Sequence, residues 1–164
     1  MKLRTALSGA GCALWYDSTH VLRPCEKRGN KVALVADRFG LADVYVFGSR
    51  AAEISSGVPP SGASSRRASD VDIAVRPHRS VSLAPGDRVE LTLALEQALR
   101  VSTVDLLVLP EAGPFLALAA IRGNLLFCVD PVDQAEYELY VLRRAGDLAP
   151  LERDRQDIVL NGGR

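Results

Sequence analysis

The chain has 164 residues, 48% of them hydrophobic, and its 20 Lys and Arg side chains equal its 20 Asp and Glu side chains in number. This length and composition predict one domain with a substantial core. Because the formal net charge is +0, the overall charge does not favour direct binding to nucleic acid or to a membrane. No apolar run approaches the roughly 20 residues of a membrane-spanning helix. The 3 cysteines contain no Cys-x-x-Cys pair, which indicates a reduced, cytoplasmic protein.

The N-terminal part of the chain shows little pattern. Residues 1–23 have no clear periodicity, so we expect them to form an extension and residues 24–164 to form the folded domain. Pro24 suits the first position of a helix. Gly40 is expected to end that helix. The apolar side chains that give it an amphipathic pattern are Val32, Leu34, Val35 and Phe39.

An apolar strand predicted at residues 44–47 is followed directly by Gly48 and Ser49. Residues 51–54 favour the start of a second helix, whose unpaired N–H groups and positive dipole end suit a phosphate. Gly48 has no Cβ, so a phosphate can approach the backbone closely. A Gly-Ser pair after a strand is by itself typical of a simple turn, and this signal therefore needs support from the rest of the sequence.

A second predicted strand carries two acids on one face. The Ser-, Gly- and Pro-rich residues 55–69 are expected to form a surface loop. Apolar and acidic side chains then alternate over residues 70–75, which places Asp70 and Asp72 on the same face of a strand. Two carboxylates so placed can share one cation. The structural alternative makes Asp70 a cap and Asp72 a solvated edge residue.

A third acid, Asp105, interrupts the apolar strand predicted at residues 104–109. An unpaired carboxylate inside a protein is costly, so this side chain is expected to meet a metal, a cation or water. Three carboxylates on neighbouring strands could hold two Mg²⁺ ions roughly 3.5–4 Å apart, the arrangement that clamps both oxygens of a phosphoryl displacement. The alternative role for Asp105 is that of an ion-pair partner.

A long helix is predicted between the second and third acids. Residues 76–82 are expected to form a loop that contains His78, an exposed side chain without a catalytic role. Residues 85–99 then have a helical pattern. The side chains that this helix is expected to bury, for the most part, are Val89, Leu91, Leu93, Leu95 and Leu99.

The C-terminal third is predicted to contain a short apolar helix starting at Pro114 and a strand at residues 125–129. Asp130 and Pro131 have the residue types of an N-cap and a first helical position. Pro150 is expected to divide the rest into two helical pieces. Because helices and strands alternate without a strict βαβ repeat, the predicted fold class is α/β (α+β), a mixed sheet with helices on one or both faces.

The motifs Gly48-Ser49, Asp70-x-Asp72 and the later strand acid Asp105 resemble the signature of the polymerase-β-type nucleotidyltransferase superfamily. Within it, the short chain is similar to the minimal nucleotidyltransferases (MNT), the antitoxin halves of HEPN/MNT toxin–antitoxin pairs. The resemblance implies a nucleotidyltransferase-type mixed sheet flanked by helices in a single domain.

The likeness extends over about residues 30–150 and departs from the family in two places. Residues 50–69 separate Gly-Ser from the first Asp, about twice the interval usual in the family. The family's Arg-Ala-Arg-Gly sequence after Gly-Ser is also broken, because Ala52 and Glu53 stand where it has Arg and Gly. Either departure would alter the grip on a nucleotide or mark a weakened enzyme.

The resemblance implies a Mg²⁺-dependent enzyme that transfers AMP from its substrate ATP to a tyrosine hydroxyl of a partner HEPN ribonuclease toxin and so acts as its antitoxin. Two Mg²⁺ ions are expected. The implied catalytic and metal-binding residues are Asp70, Asp72 and Asp105, and the implied nucleotide-binding residues are Gly48, Ser49 and Arg50. Asp105 would either complete the second metal site or orient and deprotonate the acceptor.

A second hypothesis is a catalytically weak or inactive antitoxin that neutralises its toxin by binding alone. The amphipathic helix expected at residues 131–144 offers an interface through Tyr137, Tyr140 and Leu142. The same three side chains are more typical of residues that pack into the core of the domain itself. An AMP-transfer assay separates the two hypotheses.

Overall fold

The computed structural model describes residues 14–15, 23–24, 29–56 and 70–162. Within these residues the strands are Leu14–Trp15 (β1), Arg23–Pro24 (β2), Leu41–Phe47 (β3), Val71–Pro77 (β4), Val104–Val108 (β5) and Asn124–Cys128 (β6). The α-helices are Gly29–Phe39 (α1), Ala51–Ser56 (α2), Pro85–Leu99 (α3), Pro114–Ile121 (α4) and Pro131–Asn161 (α5). Single 3₁₀ turns span Gly48–Arg50 and Leu109–Glu111.

Four of the strands form a mixed sheet in the order β5-β4-β3-β6. Strand β3 is antiparallel to both β4 and β6, and β4 is parallel to β5. A parallel neighbour requires a crossover connection, which α3 provides between β4 and β5. Strands β1 and β2 pair with each other in a separate antiparallel ribbon. The predicted α/β fold with a mixed sheet flanked by helices is confirmed.

The side chains of β3 and β4 alternate between two apolar clusters, one on each face of the sheet. The first cluster joins Val44, Val46 and Ile73 to buried residues of α1 and α3. The second joins Tyr45 and Ala74 to buried residues of α4 and α5. Because both faces are covered, these two strands are apolar almost throughout, as strands in the middle of an α/β sheet usually are.

A hydrogen-bonded group attaches α5 to the sheet. The Tyr45 hydroxyl accepts a hydrogen bond from Gln134 Nε2 at 2.9 Å and donates one to Glu138 Oε1 at 3.2 Å. Burial raises the pKa of the Tyr45 phenol, so it keeps the proton that it donates. At the start of the helix, the Asp130 carboxylate accepts from the Val132 N–H at 2.8 Å, and the predicted N-cap with Pro131 following it is confirmed.

The first predicted helix begins later than expected. Pro24 lies in β2 and not at a first helical position, and α1 starts at Gly29. Proline is tolerated in an edge strand, where its missing N–H costs no ladder hydrogen bond. Gly40 follows α1 with a φ of 63°, the left-handed conformation that commonly ends a helix. Leu34 is 65% exposed and so does not belong to the buried face.

Two predicted loop boundaries move. Ser55 and Ser56 belong to α2, and the rest of the predicted loop, residues 57–69, lies outside the described residues. The predicted loop at residues 76–82 starts too early, because β4 continues through Pro77. A charged residue in the middle of a sheet is unusual, and Arg76 is accommodated there by acidic partners.

Helix α3 has the predicted bounds but buries fewer side chains than predicted. Leu91 and Leu95 are fully buried, whereas Val89 and Leu93 are 61% and 52% exposed. Residues two apart on a helix point about 200° apart, so alternating apolar residues cannot share one face. Leu91 and Leu95, which are four residues apart, lie on the face of α3 that packs against the sheet.

Helix α5 is continuous across the break predicted at Pro150. A proline inside a helix leaves the carbonyl four residues earlier, here that of Gly146, without its partner. Pro150 and Gly146 are both exposed, so water can satisfy that carbonyl.

None of the helices in the described ranges is long and apolar enough to cross a bilayer. Cys128, on β6, is buried.

Candidate active site

The register of the sheet brings the sequence motifs to one end. Phe47, the last residue of β3, pairs with Asp72 across the antiparallel β3–β4 ladder. Asp72 in turn lies beside Asp105 in the parallel β4–β5 ladder. The chain leaves β3 at Gly48, so the Gly-Ser turn and two of the three acids meet at this end. We call the carboxylates of Asp70, Asp72 and Asp105 the acidic end of the sheet.

Gly48 is required at this point for two reasons. Its φ of 73° is a left-handed conformation that other residues adopt only with strain. A Cβ at this position would also overlap the Asp72 carboxylate. The missing side chain therefore makes room for the Asp72 carboxylate, whereas the sequence analysis assigned this room to a phosphate.

The acidic end concentrates negative charge. Asp70 and Asp105 are exposed, and Asp72 is half-buried. Burial, followed by the charges of Asp105 and Asp70, raises the pKa of the Asp72 carboxyl above its ordinary value of 3.8. Among the described residues, no Lys, Arg or His forms an ion pair with any of the three. This group of acids is thus not compensated by the part of the chain that the structure describes.

The Gly-Ser turn leads into a salt bridge between Arg50 and Glu53. Arg50 Nε donates to Glu53 Oε2 at 3.2 Å, and Arg50 Nη2 donates to Glu53 Oε1 at 2.9 Å. The hydrogen bonds between the two side chains, together with their opposite charges, raise the pKa of Arg50 and lower the pKa of Glu53. Ser49, between this pair and Gly48, is exposed. A bidentate pair therefore uses one edge of the guanidinium that the sequence assigned to nucleotide binding.

The opposite end of β4 contains a second charged group, which the sequence did not predict. The Arg76 guanidinium donates to Asp43 of β3 and to Asp133 of α5, the latter at 2.6 Å. It also lies 4.7 Å from the centre of the Tyr137 ring, close enough for a cation–π contact. Arg76 is 6% exposed and Asp43 is fully buried. We call Arg76, Asp43, Asp133 and Tyr137 the Arg76 cluster.

The Arg76 cluster borders a cleft of about 600 Å³ that also contacts His78, Arg79 and Tyr140. In contrast to the acids of the opposite end, Asp43 and Asp133 are both paired with a cation. Burial raises the pKa of Asp43, against the lowering effect of Arg76. The size of the cleft does not by itself indicate chemistry, and the uncompensated acids lie at the other end of the sheet.

Comparison with known proteins identifies the fold. No family model matches the sequence, and no curated protein matches it. A chain of a toxin–antitoxin crystal structure with AMP-PNP is 24% identical with a TM-score of 0.62, over 80% of this chain and 98% of that one. A chain from the complex of tri-AMPylated Shewanella oneidensis HEPN toxin with MNT antitoxin is 24% identical with a TM-score of 0.55, over 84% of this chain and 97% of that one. The chain has a nucleotidyltransferase-like α/β fold. The likeness at this identity concerns the fold, and it agrees with the resemblance seen in the sequence.

The nucleotidyltransferase fold implies Mg²⁺, and the acidic end fits this ion in its chemistry. Carboxylate oxygens are the hard ligands that Mg²⁺ prefers, and the ion usually takes one or two of them and completes its shell with water and phosphate. Within the described residues, no three Asp, Glu, His or Cys side chains form a ready-made metal site. Asp72 and Asp105, adjacent on β4 and β5, are the pair that fits an ion shared with a phosphate.

Two features of the site have a signal in the sequence. Asp43 interrupts an apolar run in the same manner as Asp105, and this pattern indicated a special environment for both. Glu53 follows Arg50 by three residues, the spacing of side-chain pairs on a helix. The partners of Arg76 were not visible, because Asp43 and Asp133 are 33 and 57 residues away from it in the chain.

Proposed function

We propose that this chain is a Mg²⁺-dependent nucleotidyltransferase that transfers AMP from ATP to a tyrosine hydroxyl of a HEPN toxin and thereby acts as its antitoxin. The observation that carries the proposal is the acidic end, where Asp72 lies beside Asp105 and against Gly48. Similar structures support it: one is a toxin–antitoxin with AMP-PNP, and another contains a tri-AMPylated HEPN toxin with an MNT antitoxin. We further propose that residues 24–164 form the nucleotidyltransferase domain.

Each residue of the site has a proposed role. Gly48, Ser49 and Arg50 bind the β- and γ-phosphates of ATP. Asp70, Asp72 and Asp105 would hold Mg²⁺, whose charge, when bound, offsets that of the triphosphate. Catalysis then rests on positioning and electrostatics, as is usual for phosphoryl transfer.

The proposed reaction forms one bond and breaks one. The acceptor tyrosine oxygen bonds to the α-phosphorus, and the bond from that phosphorus to the oxygen bridging it to the β-phosphate breaks, releasing pyrophosphate. The tyrosine proton passes to Asp105 or to water. Asp105 is exposed, so a hydroxyl on a second protein can reach it. The adduct places a negative phosphodiester and a base on the toxin, where it would obstruct RNA.

Incubation of the purified chain with labelled ATP, Mg²⁺ and its partner toxin tests this proposal. Intact-mass spectrometry of the toxin should show added AMP with the wild-type chain and none with Asp72→Asn. Equal modification of the toxin by both chains would remove the acidic end from the reaction. Absence of modification by the wild-type chain, with the toxin still neutralised, would favour neutralisation by binding.

Binding alone is a second candidate function, and an observation on α5 favours it. Tyr140 and Leu142 are 52% and 45% exposed, so two of the three side chains suggested as an interface lie open. Tyr137 instead packs against the second core cluster. Under this alternative, Asp72→Asn would still neutralise the toxin, whereas Tyr140→Ser with Leu142→Ser would not.

A further inference from the structure

The Arg50–Glu53 pair stands at the point where this sequence departs from the family pattern. Glu53 lies in the first turn of α2, and Arg50 ends the 3₁₀ turn that begins at Gly48. Both side chains are partly covered, with 17% exposure for Arg50 and 31% for Glu53. A salt bridge that is sheltered in this way is more persistent than one between two fully exposed chains.

The geometry of this pair is that of a phosphate contact. A guanidinium binds a carboxylate or a phosphate through two N–H groups of the same edge. Glu53 occupies the edge formed by Nε and Nη2 of Arg50. The pair also lowers the pKa of Glu53, so its carboxylate is ionised at neutral pH and can compete with a phosphate.

We propose that Glu53 is a competitor for nucleotide phosphate, built into the site, which occupies Arg50 until ATP displaces it. This inference rests on the proposed function and adds a determinant of affinity to the same site. An incoming triphosphate competes with Glu53 for the Nε and Nη2 edge of Arg50, and the released Glu53 carboxylate then lies close to it with like charge. Both effects weaken nucleotide binding, and Glu53 therefore acts as a positioning residue through Arg50.

Titration calorimetry with AMP-PNP and Mg²⁺ tests this inference. Glu53→Gln keeps the size of the side chain and removes its charge, so it should bind AMP-PNP about fivefold more tightly, the size expected for a partly exposed ion pair. In an Arg50→Ala background, the same substitution should have little effect, because there is no guanidinium to release. In a transfer assay, Glu53→Gln should lower the KM for ATP without lowering kcat.

The chain contains a matched control on α5. Glu152 and Arg155 form a salt bridge with the same three-residue spacing, and their Nη2–Oε1 distance is 2.7 Å. Glu152→Gln removes the same charge outside the site and should leave AMP-PNP affinity unchanged. Thermal unfolding of each variant shows whether α2 has kept its structure.

Several outcomes would overturn the inference. Unchanged or weaker binding by Glu53→Gln would show that the salt bridge orients Arg50 for the nucleotide or has no part in binding. An equal gain in the Arg50→Ala background would indicate general repulsion by the Glu53 charge. If the wild-type chain binds AMP-PNP and Asp72→Asn does not, these outcomes concern Glu53 alone. If the wild-type chain does not bind AMP-PNP, the proposed function fails and this inference fails with it.

Discussion

Both ends of β4 carry ionisable side chains, but among the described residues only the charges at one end are paired with opposite charges. At one end, Asp72 is half-buried beside the exposed Asp105, and no cation among the described side chains is paired with either. At the other end, Arg76 is buried between Asp43 and Asp133. A buried charge must be paired to be tolerated, whereas a group of partly exposed like charges can remain unpaired at modest cost.

The charges at the two ends are expected to serve different purposes, structure at the Arg76 cluster and ligand binding at the acidic end. The Arg76 cluster joins β3, β4 and α5, and both of its carboxylates are paired with the Arg76 guanidinium. The acidic end retains unsatisfied negative charge that a divalent cation and its phosphate would complete. Substitutions in the Arg76 cluster should therefore change stability, and substitutions at the acidic end should change binding and transfer.

The largest effect is expected from Asp72→Asn at the acidic end. This change removes the carboxylate that lies beside Asp105 and against Gly48, so AMP transfer should fall below detection. The fold should remain intact, because the substitution also relieves repulsion with Asp105 and Asp70. Transfer is measured by mass spectrometry of the toxin, and stability by urea denaturation. A variant that transfers AMP at the wild-type rate would contradict the assignment of Asp72.

A smaller loss of transfer is expected from Asp105→Asn, because Asp105 is proposed to serve the acceptor. AMP-PNP affinity should stay within about tenfold of the wild type, or roughly 1.4 kcal/mol. Transfer should fall by at least about 10², the low end of general acid–base contributions. Titration calorimetry and the transfer assay measure the two quantities separately. Complete loss of AMP-PNP binding would show that Asp105 and Asp72 share one role.

The Arg76 cluster should respond to substitution in its stability. Arg76→Met leaves the buried Asp43 without its cation, which should lower the free energy of unfolding by about 3–5 kcal/mol. Arg79→Met removes a neighbouring exposed cation and should cost little. Adding Asp43→Asn to Arg76→Met should recover part of the loss, because the uncompensated charge is gone. Urea denaturation measures all three, and a loss for Arg76→Met as small as that for Arg79→Met would contradict this role.

The smallest expected effect is a pH dependence at the acidic end. Because the pKa of Asp72 is raised above 3.8 in the folded chain, the folded state binds this proton more tightly than the unfolded state. The resulting stability is present below the unfolded pKa and is lost as pH rises through the folded pKa. Asp72→Asn cannot ionise, so it should exceed the wild type in stability at about pH 7. The difference should shrink towards about pH 4.

Denaturation in EDTA measures this pH dependence without bound metal. In an Asp105→Asn background, one of the charges that raises the Asp72 pKa is absent, so the stability gained through Asp72→Asn at neutral pH should be smaller. A difference that stays constant with pH would show that the pKa of Asp72 is not raised in the folded chain.

The fold was predictable where local patterns decide it. The alternation at residues 70–75 predicted the β4 face that carries Asp72, and Gly40 and Asp130 marked the end of α1 and the start of α5. The helix break predicted at Pro150 is wrong, because an exposed proline removes one hydrogen bond that water can replace. Local rules cannot weigh that replacement, which depends on the exposure of the folded helix.

The candidate site was predictable in its residues but not in its pairings. Asp43 and Asp105 have the same sequence pattern, a lone acid in an apolar strand, yet Asp43 is buried in an ion pair and Asp105 is exposed. The difference is set by what packs on each strand: α5 brings Asp133 and covers β3, whereas the acid-bearing part of β5 is left open. Such contacts between distant residues are fixed by the tertiary fold.

The central claim is that the acidic end, and not the cleft beside the Arg76 cluster, binds the nucleotide. An NMR titration of backbone amides with AMP-PNP and Mg²⁺ tests it directly, because both ends are observed in one sample. We predict saturable shifts at Gly48, Ser49 and Asp105, with His78 and Arg79 unchanged. Shifts centred on His78 and Arg79, with Gly48 and Asp105 unmoved, would place the nucleotide in the 600 Å³ cleft and contradict the account.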